Sequence, residues 1–257
     1  MAVTFEQRGR IAHVTLNRPE ALNSMNQEMN AELMEAFTRI ENDESIWVGI
    51  VRGSGDRAFC AGADLKEAAR GGVDHHEVFW KTKGRTAMSV LMSMSKPMIA
   101  AVNGHALGGG LTIAIGCDMR VAATNATFGF PEVVVGLPTV IGSIRLPRVM
   151  PLGLALELLL GGGRIDAQEA HRTGLVNKVV PPAELDAAAR ELAERIILNG
   201  PLAVRLTKEI ALRGLTLPFD DAVRLGESLR RISRDTADSK EGPKAFSEKR
   251  KPQYQGR

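Results

Sequence analysis

Two glycine-containing segments and one glutamate have residue types and spacings that could do chemistry. The first segment is Arg57-Ala-Phe-Cys-Ala-Gly-Ala-Asp64-Leu-Lys. Its small residues form a turn that leaves the N–H groups of Gly62 and Ala63 uncovered. The second is Ala100-Ala-Val-Asn103-Gly104-His-Ala-Leu-Gly108-Gly109-Gly110-Leu-Thr112, which reads as a strand, a turn, three glycines and the start of a helix. Glycines at a helix start let a ligand approach the backbone closely. The free N–H groups of the first turn and the helix dipole favour negative charge there. Taken singly, each segment is a packing or turn feature. The glycines do not have the GxGxxG spacing of a dinucleotide site, and no Gly-Lys-Ser/Thr follows as in a phosphate-binding loop. Taken together, each behind an apolar strand, they can supply two converging N–H donors, the arrangement of an oxyanion hole.

Glu132 follows Phe128-Gly-Phe-Pro131 and precedes Val133-Val-Val135. A carboxylate in such apolar company is desolvated, which suits a group exchanging protons with a carbon acid. The plainer alternative is an inert glutamate at a strand end. Thr112 cannot act as a general acid or base near neutral pH; it could hold a water or fill space on a helix. Asp118 starts a strand and reads as structural. Asp64 reads as the cap of a helix after the first segment, and His75 and His76 as surface residues in a polar stretch. Cys60 and Cys117 match no metal motif and no CxxC pair, so a disulfide is not expected.

These groups need a scaffold, and the apolar pattern outlines one. Val3 to Arg8 and Ile11 to Leu16 form a hairpin signal around Gly9 and Arg10. Asn26 opens a helix with Met29, Leu33, Phe37 and Ile40 at helical spacing. Trp47 to Arg52, Pro97 to Val102, Met119 to Ala123, Phe128 to Phe130 and Val176 to Val180 read as strands. Leu152 to Leu160, Asp166 to Thr173, Ala183 to Leu198, Pro201 to Arg213, Phe219 to Ser233 and Lys240 to Lys249 read as helices. Strands alternating with helices predict parallel crossovers. The all-helical part begins near Pro201, giving an expected division into a core of residues 1–200 and a helical region of residues 201–257.

The chain has 257 residues, 44% hydrophobic and 25% charged, enough to bury a sizeable core. Its 33 Lys and Arg against 30 Asp and Glu leave a net charge of +3, too small to argue for nucleic acid as a partner. The basic stretch Lys244 to Lys251 reads as the solvated face of a helix. Apolar runs such as Pro97 to Val102 are too short to span a membrane, and no apolar leader core follows Met1. A cytoplasmic protein is the expectation.

These segments, in this order, resemble the crotonase superfamily, also called the enoyl-CoA hydratase/isomerase family. The resemblance runs nearly end to end. Asn17-Arg-Pro-Glu-Ala-Leu-Asn23 is similar to its N-terminal signature, and Phe59-Cys-Ala-Gly-Ala-Asp-Leu65 to its first oxyanion loop. Lys96-Pro-Met-Ile-Ala-Ala-Val-Asn-Gly104 with Gly108-Gly109-Gly110 is similar to its second. Phe128-Gly-Phe-Pro-Glu132 resembles the segment carrying a catalytic glutamate, and Gly161 to Leu175 the helix that follows. Glu241-Gly with Ala245 to Lys251 resembles the C-terminal helix. The resemblance implies an α/β fold of repeated ββα units, the ClpP/crotonase fold, with a C-terminal helical region that makes trimers or dimers of trimers. It implies oxyanion donors at the N–H groups of Ala63 and Gly109, and catalysis by Glu132. CoA would lie along Ala61, Asp64, Leu65 and Gly108, with its adenine near Ala61. Lys249 from a neighbouring subunit would reach the CoA phosphates. His105 would point away from the thioester. No cofactor is implied beyond the CoA that forms part of the substrate.

The chain departs from the family pattern at one carboxylate. Many hydratases of the family place a second glutamate three residues after the Gly109 position, where this chain has Thr112. The turn after Glu132, Gly136-Leu-Pro-Thr-Val-Ile-Gly142, is also one residue short, and Val140 and Ile141 are expected to narrow the acyl pocket. With one carboxylate, three chemistries stay open: Δ3-to-Δ2 isomerisation of an enoyl-CoA, an atypical hydration of a 2-enoyl-CoA, and C–C cleavage or hydrolysis of a special acyl-CoA. A non-catalytic scaffold that binds CoA or RNA is the alternative from another class.

Overall fold

The computed structural model describes residues 1–64 and 85–257. Leu65, the helix expected after Asp64, and His75 and His76 lie outside the described residues.

The strands are β1 (Val3–Arg8), β2 (Ile11–Leu16), β3 (Val48–Gly53), β4 (Ala58–Cys60), β5 (Met98–Val102), β6 (His105–Leu107), β7 (Met119–Ala123), β8 (Thr127–Gly129), β9 (Arg164–Asp166) and β10 (Lys178–Val180). They form two sheets, ordered β1-β2-β3-β5-β7-β10 and β4-β6-β8-β9. Beyond the antiparallel hairpin of β1 and β2, the large sheet is parallel. Each of its strands β3, β5 and β7 continues within a few residues into β4, β6 or β8 of the small sheet, whose first three strands are also parallel. The chain therefore steps repeatedly from one sheet to the other and returns through a helix, which is the expected ββα unit.

The described helices are α1 (Gln27–Asn42), α2 (Ala87–Ser93), α3 (Gly109–Gly116), α4 (Val140–Arg145), α5 (Leu152–Gly161), α6 (Ala167–Arg172), α7 (Leu185–Ile197), α8 (Pro201–Gly214), α9 (Phe219–Arg234) and α10 (Ala237–Ser247). Asn26 caps α1 by accepting from the Met29 N–H at 2.9 Å, and Met29, Leu33, Phe37 and Ile40 are buried along one face. Helix α3 is apolar all round and buried, as its central position requires. The parallel strands bury both faces. On β5, Met98, Ala100 and Val102 join the core shared with α1, α2 and α3, while Ile99 and Ala101 face the second core, which Leu185, Ala189 and Ala193 of α7 close.

Strands β4, β6 and β9 are absent from the sequence reading, and β6 falls where it placed a break. Each has three residues, too few for period-2 alternation to stand out; neighbouring strands define them. Asp118 precedes β7, as expected of a structural group. Its carboxylate accepts from the Met98 N–H and from Lys208 Nζ of α8, both at 2.7 Å, tying the starts of two strands to the C-terminal helices. The last residues fold back on α10: the Asp238 carboxylate, at the start of that helix, accepts the N–H groups of Gln255 (2.7 Å) and Gly256 (2.8 Å). Among the described residues, no helix is long and apolar enough to cross a membrane.

Candidate active site

The first loop leaves β4 at Cys60 and docks by its main chain on residues 22–25. Ala61 N–H donates to Leu22 O (3.0 Å), Met25 N–H to Gly62 O (2.7 Å), and Asp64 N–H to Met25 O (2.9 Å). This is a parallel bridge between Met25 and Ala63. In such a bridge the residues before and after Ala63 bond to Met25, so the N–H of Ala63 itself is turned to the other side. Gly109 is the first residue of α3, and its N–H belongs to the turn that lacks intrahelical acceptors. The two loops abut: a Cβ added to Gly62 would lie 3.6 Å from the Gly109 nitrogen, and one added to Gly110 would lie 2.0 Å from the Cys60 carbonyl oxygen. The N–H groups of Ala63 and Gly109 thus lie on adjoining loops.

Two buried asparagines hold the first loop in place. Asn23 Oδ1 accepts from the Arg18 N–H (2.9 Å), and its Nδ2 donates to Ser54 O (3.0 Å) and Ala58 O (2.8 Å). Asn103 Oδ1 accepts from Gly53 N–H (3.1 Å), and its Nδ2 donates to Gly55 O (2.8 Å) and Ala58 O (3.3 Å). Both side chains are out of water, where a satisfied amide specifies one conformation. They fix the turn between β3 and β4, and hence the origin of the first loop. Both stood inside the quoted motifs, but nothing in the sequence marks them as a pair meeting at Ala58.

Glu132 is not at a strand end. It lies in a 3-10 turn, Pro131–Val135, whose first residue is proline. Of its apolar neighbours in the chain, Phe128 and Phe130 are fully buried, whereas Val133, Val134 and Val135 are exposed. The carboxylate rests on Gly108, where an added Cβ would come within 3.0 Å of Oε1. Gly108 has φ +53° and ψ −120°, a conformation open to glycine. Oε2 is shielded from solvent and has no hydrogen-bond partner among the described residues.

Thr112 is buried, and its hydroxyl donates to the Gly108 carbonyl at 3.2 Å, the back-bond of a helical threonine. Gly108 donates its own N–H to Gly129 O (2.9 Å), so what it offers the site is room beside Glu132. His105 Nδ1 is engaged with Thr127 Oγ1 at 2.8 Å. Asp64 pairs with Arg18 at 3.0 Å, which couples the first loop to the N-terminal signature. Val140 lies on the surface of the chain, 67% exposed, whereas Ile141 packs on the core. The reason is that α4 turns one face to the core and the next residue outward.

Lys249 stands just past α10 with φ +53°. The Arg250 N–H donates to Ala245 O (3.0 Å) and the Lys249 N–H to Phe246 O (3.2 Å), which makes a Schellman end with lysine in the left-handed position usually held by glycine. The sequence signal for this geometry was absent, since lysine does not mark a helix end of that kind.

Residues 6–257 match the family described as Enoyl-CoA hydratase/isomerase. The chain belongs to that family. It is 43% identical to the (E)-benzylidenesuccinyl-CoA hydratase of Thauera aromatica over 259 residues, covering the whole of both chains. It is 41% identical to the short-chain-enoyl-CoA hydratase of Clostridium acetobutylicum, covering 97% of this chain and 95% of the relative. Among solved structures, an enoyl-CoA hydratase from Bacillus anthracis superposes with a TM-score of 0.94 at 37% identity over the full length of both chains. One from Mycobacterium tuberculosis gives 0.92 at 38%, covering 100% of this chain and 99% of the other. The crotonase resemblance and its fold are therefore established, and the chain is an acyl-CoA-processing enzyme of the enoyl-CoA hydratase/isomerase family.

Proposed function

We propose that this enzyme adds water to 2-enoyl-CoA thioesters with Glu132 as its single acid–base group. The thioester oxygen accepts from the N–H groups of Ala63 and Gly109 as the enolate forms. Glu132 takes a proton from the water whose oxygen bonds to C3, then returns that proton to C2, leaving a 3-hydroxyacyl-CoA and an unchanged carboxylate. The observation that supports one carboxylate is the pairing at Gly108: Glu132 rests on this residue from one side, while the Thr112 hydroxyl is bonded to its carbonyl. The same feature favours a second reading, Δ3-to-Δ2 isomerisation, in which Glu132 moves a proton from C2 to C4 through the dienolate. Incubation with 2-enoyl and 3-enoyl thioesters in heavy water separates them. Hydration gives a 3-hydroxy product with deuterium at C2; isomerisation converts only the 3-enoyl thioester. Turnover of neither would overturn both and return to the lyase, hydrolase or scaffold readings.

Each general acid or base contributes roughly 10²–10⁴-fold, so hydration of simple substrates should be slow. Thr112→Glu is expected to raise kcat for crotonyl-CoA by about tenfold or more. An unchanged rate in a folded variant would mean that the pocket has diverged along with the missing acid.

In this reading CoA runs along Ala61, Asp64, Leu65 and Gly108, and Lys249 of a second subunit meets its phosphates. Lys249→Gly should relieve a left-handed lysine, raising stability by about 1 kcal/mol, while KM for acyl-CoA rises and kcat holds. A KM equal to the parent's would remove Lys249 from the site. We propose a homotrimer or dimer of trimers, with residues 201–257 at the contacts. Support comes from exposed apolar residues within that region, Phe219, Val223 and Ile232 on α9. Light scattering would test it, a 27.7 kDa monomer being the contrary result. The reaction requires no cofactor beyond the CoA of its substrate, so activity should survive a chelator and gel filtration. A cytoplasmic setting is consistent with two buried free thiols, both pushed up to about 12 by burial; recovery in a membrane or exported fraction would argue against it.

A further inference from the structure

Met25 touches both halves of the donor pair. Its backbone forms the parallel bridge to Ala63, through Met25 N–H to Gly62 O (2.7 Å) and Asp64 N–H to Met25 O (2.9 Å). Its side chain reaches the other loop. The terminal methyl lies 2.5 Å, and the sulfur 3.9 Å, from where a Cβ on Gly109 would be. The methyl therefore occupies the space that a side chain at 109 would fill. Gly108 and Gly109 are adjacent, and each has a different neighbour in that space: Glu132 stands against the first and Met25 against the second. The residue is half-buried and packs on the main core cluster.

We infer that Met25 is a positioning residue for the proposed reaction, setting the separation of the Ala63 and Gly109 N–H groups and forming the wall beside the second donor. The first loop is attached to residue 25 by two main-chain hydrogen bonds, and the second loop is kept at its distance by the same residue's side chain. A thioether chain is long and unbranched enough to fill the gap without a polar atom that competes for the oxyanion. Shortening it removes the spacer and lets α3 or water move in. Donors must lie about 2.7–3.1 Å from the developing oxyanion, so a small shift weakens stabilisation of the enolate more than binding of the CoA moiety.

The inference rests on the oxyanion-hole reading, and the test separates the two. A chromophoric arylacryloyl-CoA reports polarisation of its thioester carbonyl as a red shift of its absorbance on binding. The parent enzyme should show this shift; if it does not, the oxyanion-hole reading itself fails. Given the shift in the parent, Met25→Leu should keep it, with kcat within about twofold. Met25→Ala should reduce it and lower kcat about tenfold or more at a nearly unchanged KM, since a displacement of about 1 Å can cost up to 10²-fold. Met25→Gln keeps the length but brings an amide beside the donors. It should also reduce the shift, and it carries the test if the alanine variant does not fold. Alanine and glutamine variants with the parent's red shift and kcat would overturn the inference.

Discussion

Glu132→Gln is expected to lower kcat by about 10²–10⁴-fold while leaving the affinity for CoA thioesters nearly unchanged. The substitution keeps the shape of the side chain, the proline-initiated turn that carries it and the buried Phe128 and Phe130 that precede it in the chain. It removes the ability to take and return a proton. Both candidate reactions route every proton through this group, so both should fail together, which distinguishes Glu132 from a residue that selects between them. Stability should hold or rise, because a shielded carboxylate oxygen without a partner among the described residues is costly to bury and an amide is less so. Steady-state kinetics with a competitive CoA ligand, alongside a thermal melt, would measure these three quantities. Turnover at the parent's rate would remove Glu132 from the mechanism.

Gly110→Ala should be nearly as severe, for a different reason. An added Cβ would lie 2.0 Å from the Cys60 carbonyl oxygen and 2.7 Å from its carbon. These are backbone atoms of β4, so no side-chain rotation relieves the clash, and the second loop must move away from the first. The two N–H donors then separate. A loss of about 10²-fold or more in kcat/KM is expected, as for removal of one oxyanion donor, with about 1–3 kcal/mol of stability from overpacking. Gly153→Ala, on the open face of α5 with nothing within 4 Å, provides the contrast. It should keep activity and gain up to about 1 kcal/mol. Equal activity of the Gly110 and Gly153 variants would mean that contact between the loops is unimportant to turnover.

Most long elements are legible because burial writes a period into the chain. Helix α1 follows from Met29, Leu33, Phe37 and Ile40 with an asparagine cap, and β5 from an unbroken apolar run buried on both faces. The three-residue strands of the small sheet are not legible in this way. Their pairing partners lie far along the chain, as with β4 beside β6 and β8 beside β9. The apolar Val133 to Val135 run reads as company for Glu132, yet all three valines are exposed, because the 3-10 turn that carries them lies at the surface of the chain.

The sequence by itself determined the family, the two glycine-containing loops, the glutamate and the departure at Thr112, since these depend on residue identity and spacing along the chain. The tertiary structure decided how they meet. It placed Glu132 on Gly108, joined Asn23 and Asn103 at Ala58 and set Met25 between Ala63 and Gly109. These contacts span tens of residues, and no local propensity encodes them. They arise because parallel strands stepping between two sheets bring the ends of β4 and β6 side by side, where backbone clearance of a few ångströms determines which side chains fit.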